Sequence, residues 1–361
     1  MLQIDARKLK QFDYTLFLAV VAISLLGAYT ISTTGKGDYY AIRQLFWVGV
    51  GVVLSLFVAF MDTRKLKSLA KPFYFGSIVL LLLVFTHGVL KHGAKRWIAF
   101  GGVHLQPSEF VKIGVILMLA YYLDENPKNE PYDLKDLIIP FLIIAIPSAL
   151  IVVQPDLGTT VVIVTVAFGI LLFARIRRSL LIKLILLAII FFPFAWSNLK
   201  PYQKDRIMAF INPYSAPTTY GYHIIQSEIA VGSGGLTGKG IAGATQTALN
   251  FLPECHTDFI FSVFSEQHGF VGDMVLILLY LFIIFKAIRI AKKAQTNFER
   301  FASIGIAVMI WISFVFNIGM TIGLLPVVGV PLVFFSYGGS AMLTNFLCVG
   351  ILLSIELRSH P

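Results

Sequence analysis

The chain has 361 residues, of which 57% are apolar and only 13% charged. An ordinary soluble domain carries about 25% charge, so this composition excludes a water-soluble fold and makes lipid the solvent. The formal charge of +10 would point to nucleic acid in a soluble protein; here it asks which face of the membrane holds the cations, and no nucleic-acid partner is expected.

A membrane-spanning helix needs about 20 predominantly apolar residues. Ten stretches answer to this, at roughly 13–34, 41–60, 72–90, 108–123, 136–153, 159–174, 180–198, 262–285, 301–323 and 338–356. The fourth to sixth are the weakest, being short or interrupted by Pro and Gly. The expected fold is therefore all-α, a polytopic integral membrane protein forming one domain over 1–361. Met1 to Lys10 is polar and basic, and no small-residue cleavage site follows the first apolar run, which reads as a first span that also directs insertion. Cys255 and Cys348 lie in different environments and read as free thiols.

An even number of spans puts both termini on one side. With the N-terminus inside, 19 of the 29 Lys and Arg fall in inside segments and 9 outside, with Lys112 in a span. That bias favours a cytoplasmic N-terminus. It places one long connection, residues 199–261, on the outer face, and long connections usually carry function. This loop holds four prolines and a glycine cluster from Gly232 to Gly243, and Tyr222 to Val231 reads as a short interfacial helix. There is no internal repeat of the kind transporters show.

Ionisable groups at membrane depth are costly and invite a functional reading. Glu109 and Lys112, in Gln106-Pro107-Ser108-Glu109-Phe110-Val111-Lys112, share a helix face and can pair, with Ser108 as a helix cap. They read as a packing ion pair, as the wall of a cavity, or as both. Asp156, in Gln154-Pro155-Asp156-Leu157-Gly158, is either a polar N-cap or a site residue. Asp258 lies where the long loop enters an apolar helix. A carboxylate there is partly desolvated, which raises its pKa and suits a proton acceptor; the rival reading is again an N-cap. His256 with Asp258 is weak support for a metal. Asp273 lies too deep to meet an external substrate. Gly232 to Gly240 fails the nucleotide P-loop test, although its amides beside Lys239 could cradle a diphosphate. The outer cations Lys91, Lys95, Arg96, Lys200, Lys204, Arg206 and Lys239 suit an anionic substrate or lipid headgroups.

The run from Asn317 to Ala341, Asn-Ile-Gly-Met-Thr-Ile-Gly-Leu-Leu-Pro-Val-Val-Gly-Val-Pro-Leu-Val-Phe-Phe-Ser-Tyr-Gly-Gly-Ser-Ala, resembles the signature of the SEDS family (shape, elongation, division and sporulation). Lys95-Arg96-Trp97, Gln106 to Lys112, Gln154 to Gly158 and Tyr202 to Gly272 extend the resemblance over nearly the whole chain. Tyr202 to Ile207, Gly221 to Ser227 and Phe251-Leu252-Pro253 look more like the RodA branch than the FtsW branch. The resemblance implies a peptidoglycan glycosyltransferase that polymerises lipid II during cell elongation. It would act on the outer face of the cytoplasmic (inner) membrane and release undecaprenyl diphosphate. By the same resemblance Asp258 is the general base. Glu109, Lys112 and Asp156 shape the substrate cavity, and Arg96, Arg206 and Lys239 hold diphosphate oxygens. A divalent cation (Mg or Mn) could neutralise the leaving group, though no ligand cluster marks its site. A class B penicillin-binding protein is the implied partner, beside other elongation-machinery membrane proteins. Cys255 and Gln267-His268 depart from the family pattern. A lipid II flippase and a non-catalytic scaffold are the competing readings.

Overall fold

The computed structural model describes residues 11–35, 37–91, 94–101, 103–215 and 220–359. Arg7, Lys8, Lys10, Lys36 and Pro217 lie outside the described residues. The long helices are α1 (Tyr14–Ser32), α2 (Gly37–Ala59), α3 (Thr63–His87), α4 (Pro107–Glu125), α5 (Ile138–Val153), α6 (Leu157–Phe173) and α7 (Arg178–Ser197). After the long loop, which holds α8 (Pro201–Ile211) and α9 (Tyr220–Ser233), come α10 (Ile260–Lys293), α11 (Asn297–Thr321) and α12 (Gly339–Glu356). Apart from α8 and α9, these are ten helices on the ten expected stretches, and among the described residues seven of them are long and apolar enough to cross a membrane by length and composition. The other three are α4, with its charged Glu109, Lys112, Asp124 and Glu125, then α6 at 17 residues, and α7. The chain is an all-α, multi-pass membrane protein.

Several helices outrun their apolar stretches. α3 begins at Thr63, not near 72, because the Asp62 carboxylate caps it by accepting from the Arg64 amide. α10 continues to Lys293, ending on Lys292 and Lys293 where the helix dipole favours cations. Hydropathy reports lipid thickness, whereas capping and charge set where a helix stops. Conversely, Ser108 is no cap. Helix α4 starts at Pro107 with Gln106 in the cap position, so the Ser108 side chain is released for another contact.

One element was not expected. Between α3 and α4 the chain folds into a three-stranded antiparallel sheet, β1 (Gly88–Lys91), β2 (Ala94–Phe100) and β3 (Val103–Leu105), in the order β1-β2-β3. This small sheet carries Arg96 towards the helices.

The bundle is centred on α12, 83% of whose most apolar window is buried, whereas α3 is 28% buried over its own and turns most of its surface outwards. α12 packs along α2, and α11 packs against α4, α6 and α10. The sequence Gly158 permits a close approach at the top of α6: a side chain there would begin 2.4 Å from the carbonyl oxygen of Val328.

In the long loop, α9 covers the first turns of α10, so the stretch Tyr222 to Val231 is helical as expected. The His223 ring stacks on Phe259 with centroids 6.0 Å apart. Ser227 accepts from Ser262 at 2.7 Å and donates to the carbonyl of Thr321 at 2.6 Å, joining α9 to α10 and α11. Helix α10 then breaks at Gly269, whose φ of 63° and ψ of −168° suit glycine alone. The amides freed by the break, Phe270 and Val271, donate to the carbonyls of Gly235 and Leu236 at 2.9 and 3.0 Å. The glycine-rich segment therefore mends a helix break. Its amides at Gly234, Gly238 and Lys239 all donate within the protein, and the diphosphate cradle anticipated there is not what these groups form.

Candidate active site

Asp258 sits in the turn that leads into α10. The cap position of that helix belongs to Phe259, and no side chain caps it, so the N-cap reading of Asp258 does not hold. The backbone around it is fixed from the end of α11 and from the loop that follows it. Three successive carbonyls, of His256, Thr257 and Asp258, accept hydrogen bonds from the Tyr337 amide at 2.9 Å, the Ser336 hydroxyl at 2.6 Å and the Asn317 side-chain amide at 3.0 Å. Asn317 also donates to the carbonyl of Val330 at 2.9 Å. Asn317, Ser336 and Tyr337 of the signature run thus hold one three-residue stretch.

The carboxylate rests beside Gly329: Oδ2 lies 3.3 Å from where a side chain at that glycine would begin, and the φ of Gly329 is +72°. Burial pushes the Asp258 carboxyl up to about 6, Glu254 and Asp156 act in the same direction, and Arg206 and Arg96 oppose them. Four charges from four separate segments therefore act on one carboxylate.

Asp156 caps α6, accepting from the Thr159 amide at 3.3 Å and the Thr159 hydroxyl at 2.9 Å. It is buried, and its Oδ2 also accepts at 3.5 Å from both Ser108 and Gln106. The Gln106 amide donates to Ser340 on α12 at 2.9 Å. Arg96, from β2, donates to the carbonyl of Gln154 at 3.0 Å and also to that of Pro155. The cap reading of Asp156 is thus met. It holds the helix and stands in the field of Asp258.

Glu109 and Lys112 form the expected pair, with Nζ and Oε1 2.8 Å apart and both side chains buried. Thr344 of α12 donates to Glu109 at 3.4 Å. Lys239 is engaged elsewhere. Its Nζ lies 3.8 Å from Glu266, and its amide donates to the Glu266 carbonyl. The buried Glu266 carboxylate accepts from the amides of Gln246 and Thr247 and from the Thr247 hydroxyl, so it organises the helical turns Gly240–Gly243 and Thr245–Ala248.

The sequence reading did not single out His223. Burial lowers its pKa, Glu254 opposes that and Arg206 adds to it, so His223 shares the Asp258 neighbourhood through two common charges. Its placement one helical turn before Ser227 was the available signal. His256 stacks on Tyr40 at 4.4 Å instead of joining Asp258 as a ligand. Among the described residues, no three His, Cys, Asp or Glu side chains converge as a metal ion would require. Cys255 and Cys348 are both free.

Such a fold and site define a multi-pass membrane protein whose partly buried carboxylate is held at a loop–helix junction and flanked by arginines. The chain belongs to the FtsW/RodA/SpoVE family of cell cycle proteins, whose sequence profile matches residues 9–360. It is 39% identical to the peptidoglycan glycosyltransferase MrdB of Escherichia coli K12, over 95% of this chain and 93% of that protein. It is 34% identical to a probable peptidoglycan glycosyltransferase FtsW of Geobacter metallireducens, over 99% and 97%. Among solved structures it resembles a chain from work on the structural coordination of polymerization and crosslinking by a peptidoglycan synthase complex. That match has a TM-score of 0.83 and 31% identity, and covers 97% of this chain and 98% of the other. It also resembles the Thermus thermophilus rod shape determining protein RodA, with a TM-score of 0.73 and 28% identity over 97% and 98%.

Proposed function

We propose that this protein is a peptidoglycan glycosyltransferase that polymerises lipid II on the outer face of the cytoplasmic membrane. Asp258 serves as its general base. The observation that carries this reading is a carboxylate excluded from helix capping, raised to about 6 and held rigidly by three backbone hydrogen bonds. A base of that pKa is ionised at neutral pH yet still accepts a proton. The acceptor sugar hydroxyl attacks the anomeric carbon of the donor, and the bond from that carbon to the diphosphate oxygen breaks. The hydroxyl proton passes to Asp258, and undecaprenyl diphosphate leaves.

Arg206 and Arg96 supply positive charge for the departing diphosphate. A guanidinium has five N–H donors, so Arg96 keeps some for substrate after binding the carbonyls of Gln154 and Pro155. Lys239 is reassigned from diphosphate binding to securing the loop against Glu266. Glu109 and Lys112 brace α4 against α12 beneath the Asp156 cluster. A divalent cation (Mg or Mn) would neutralise charge on the leaving diphosphate, and no step is routed through it. A transpeptidase of the class B penicillin-binding type, together with other elongation-machinery membrane proteins, is the partner set that suits this activity.

Purified protein and lipid II, with no other polymerase present, provide the test. Wild type makes glycan, and Asp258→Ala makes at least a hundredfold less, in line with the usual weight of a general base. Equal polymerisation by both would remove Asp258 from the chemistry. No polymerisation by wild type, with lipid II crossing vesicle membranes, would favour a flippase.

A further inference from the structure

A second concave feature lies at the outer ends of α1 and α2. It is a cavity of about 450 Å³, lined by the hydroxyl-bearing Ser32 and Thr34 and by Asp38, Tyr39 and Tyr40. Nothing in the reaction described above uses it. Its walls mix aromatic rings, hydroxyls and a carboxylate, and its volume falls within the range of small-molecule sites.

The aromatic wall is braced from outside. The Arg43 guanidinium lies 4.5 Å from the centroid of Tyr39, covering one face of that ring, while the residue stays 56% exposed. Tyr40 meets Tyr39 edge-on at 5.4 Å and Tyr337 edge-on at 4.8 Å. An exposed aromatic ring held in place loses little entropy on binding and offers a negative face to polarised C–H groups. A carboxylate and phenolic hydroxyls beside it suit the hydroxyl and amide groups of the same ligand. One ligand class combines a C–H face with a rim of such groups: a pyranose.

The cavity shares the Tyr40 ring with the active-site loop. Tyr40 stacks on His256 at 4.4 Å and 11°, and the Tyr337 amide donates to the carbonyl of His256. Residue 256 leads directly into Asp258, so Tyr40 joins the cavity wall to the turn that carries the base. A polymer elongated at Asp258 needs somewhere to lie that is neither lipid nor the donor site.

We propose that the cavity between α1 and α2 is a saccharide subsite that holds an N-acetylhexosamine ring of the glycan strand, with Tyr39 as the stacking platform and Asp38 as the hydrogen-bond acceptor. This rests on the glycosyltransferase reading and names where the strand lies. The ring at Tyr39 retains the strand between successive additions, so its loss releases shorter products.

The first experiment measures binding of tetra-N-acetylchitotetraose, a soluble β-1,4-linked N-acetylhexosamine tetramer, to the detergent-purified full chain by calorimetry. Wild type and Asp258→Ala bind it alike, Tyr39→Ala binds at least tenfold more weakly, and Tyr39→Phe stays within about threefold of wild type. A parallel gel of products made from lipid II shows strands severalfold shorter for Tyr39→Ala and for Asp38→Asn. No tetramer binding by wild type, or wild-type affinity and strand length in Tyr39→Ala, overturns the subsite. Shorter strands only when a penicillin-binding protein is added would assign the surface to that partner, and also overturn it. Failure of the glycosyltransferase reading shows separately, as no glycan from wild type, while the tetramer titration still reads the cavity.

Discussion

An ionised carboxylate against Gly329 and Phe259 is solvated poorly, and the fold pays for that when Asp258 loses its proton. The sign follows from its raised pKa. The group favours the folded state below its ordinary value of 3.8, and that contribution is lost as pH rises through about 6. At about 1.4 kcal/mol per pH unit the interval amounts to at most ~3 kcal/mol, less whatever partial exposure to water removes. Catalysis asks for the opposite state, since only the carboxylate accepts a proton. Polymerisation should therefore fall about tenfold per pH unit below pH 6 and flatten above it, with Glu254, Asp156, Arg206 and Arg96 as the groups whose substitution moves the limb. Asp258→Asn should be inactive at pH 7.5 yet melt no lower than wild type. An acid limb near 4, or a variant much less stable than wild type, would contradict this account. Asp258 was legible in the sequence because an acid between a polar loop and an apolar run has few structural excuses. His223 was not, because a single imidazole in a short amphipathic stretch looks the same whether it faces lipid, water or a site.

Helix ends and breaks were the elements least visible beforehand. The ten apolar stretches located the helices, since lipid demands them, but the polar first turn of α3 and the basic last turns of α10 follow from capping and dipole, which hydropathy ignores. The break at Gly269 was hidden because a single glycine within a span does not show whether the helix breaks there, and its repair comes from carbonyls some 35 residues earlier. The sheet over Gly88–Leu105 was hidden for a similar reason: short strands in an outer loop carry no lipid signal. The close approach of α6 to the Val328 carbonyl is a further contact of this kind, and it carries a consequence. Gly158→Ala would force a methyl to 2.4 Å from a backbone oxygen that flexible side chains cannot yield. The Val327–Val330 stretch would shift, and Gly329 with it, moving the floor beneath Asp258. Gly158→Ala should cut polymerisation more than tenfold while the bundle still extracts as a monodisperse, folded species; unchanged activity would show that this loop does not register the base.

For the molecule as a whole, orientation is proposed from charge and not from the fold, because a multi-pass helical bundle is geometrically sound either way up. The inner-side assignment rests on cations in short loops, yet many of those cations are paired: Lys286 with Asp13 at 2.8 Å, Lys293 with Glu356 at 2.9 Å, Lys128 with Asp136 at 2.6 Å and Lys67 with Asp124 at 2.5 Å. Pairing in the finished fold does not weaken the assignment, since insertion reads Lys and Arg before helices pack and gives acids little weight. These pairs then tie together the helix ends that the charge bias assigns to the inside, whereas Arg206 and Arg96 act on Asp258. The orientation is open to a labelling test in a cysteine-free background, with Cys255→Ser and Cys348→Ala. Thr237 and Glu130 are both exposed, the first in the long loop and the second in the connection between α4 and α5. A membrane-impermeant maleimide should label Thr237→Cys in intact cells or spheroplasts, and Glu130→Cys only after permeabilisation. The reverse pattern would turn Asp258 to the cytoplasm, and the proposed outer-face polymerisation would fall with it, whatever the purified enzyme does in detergent.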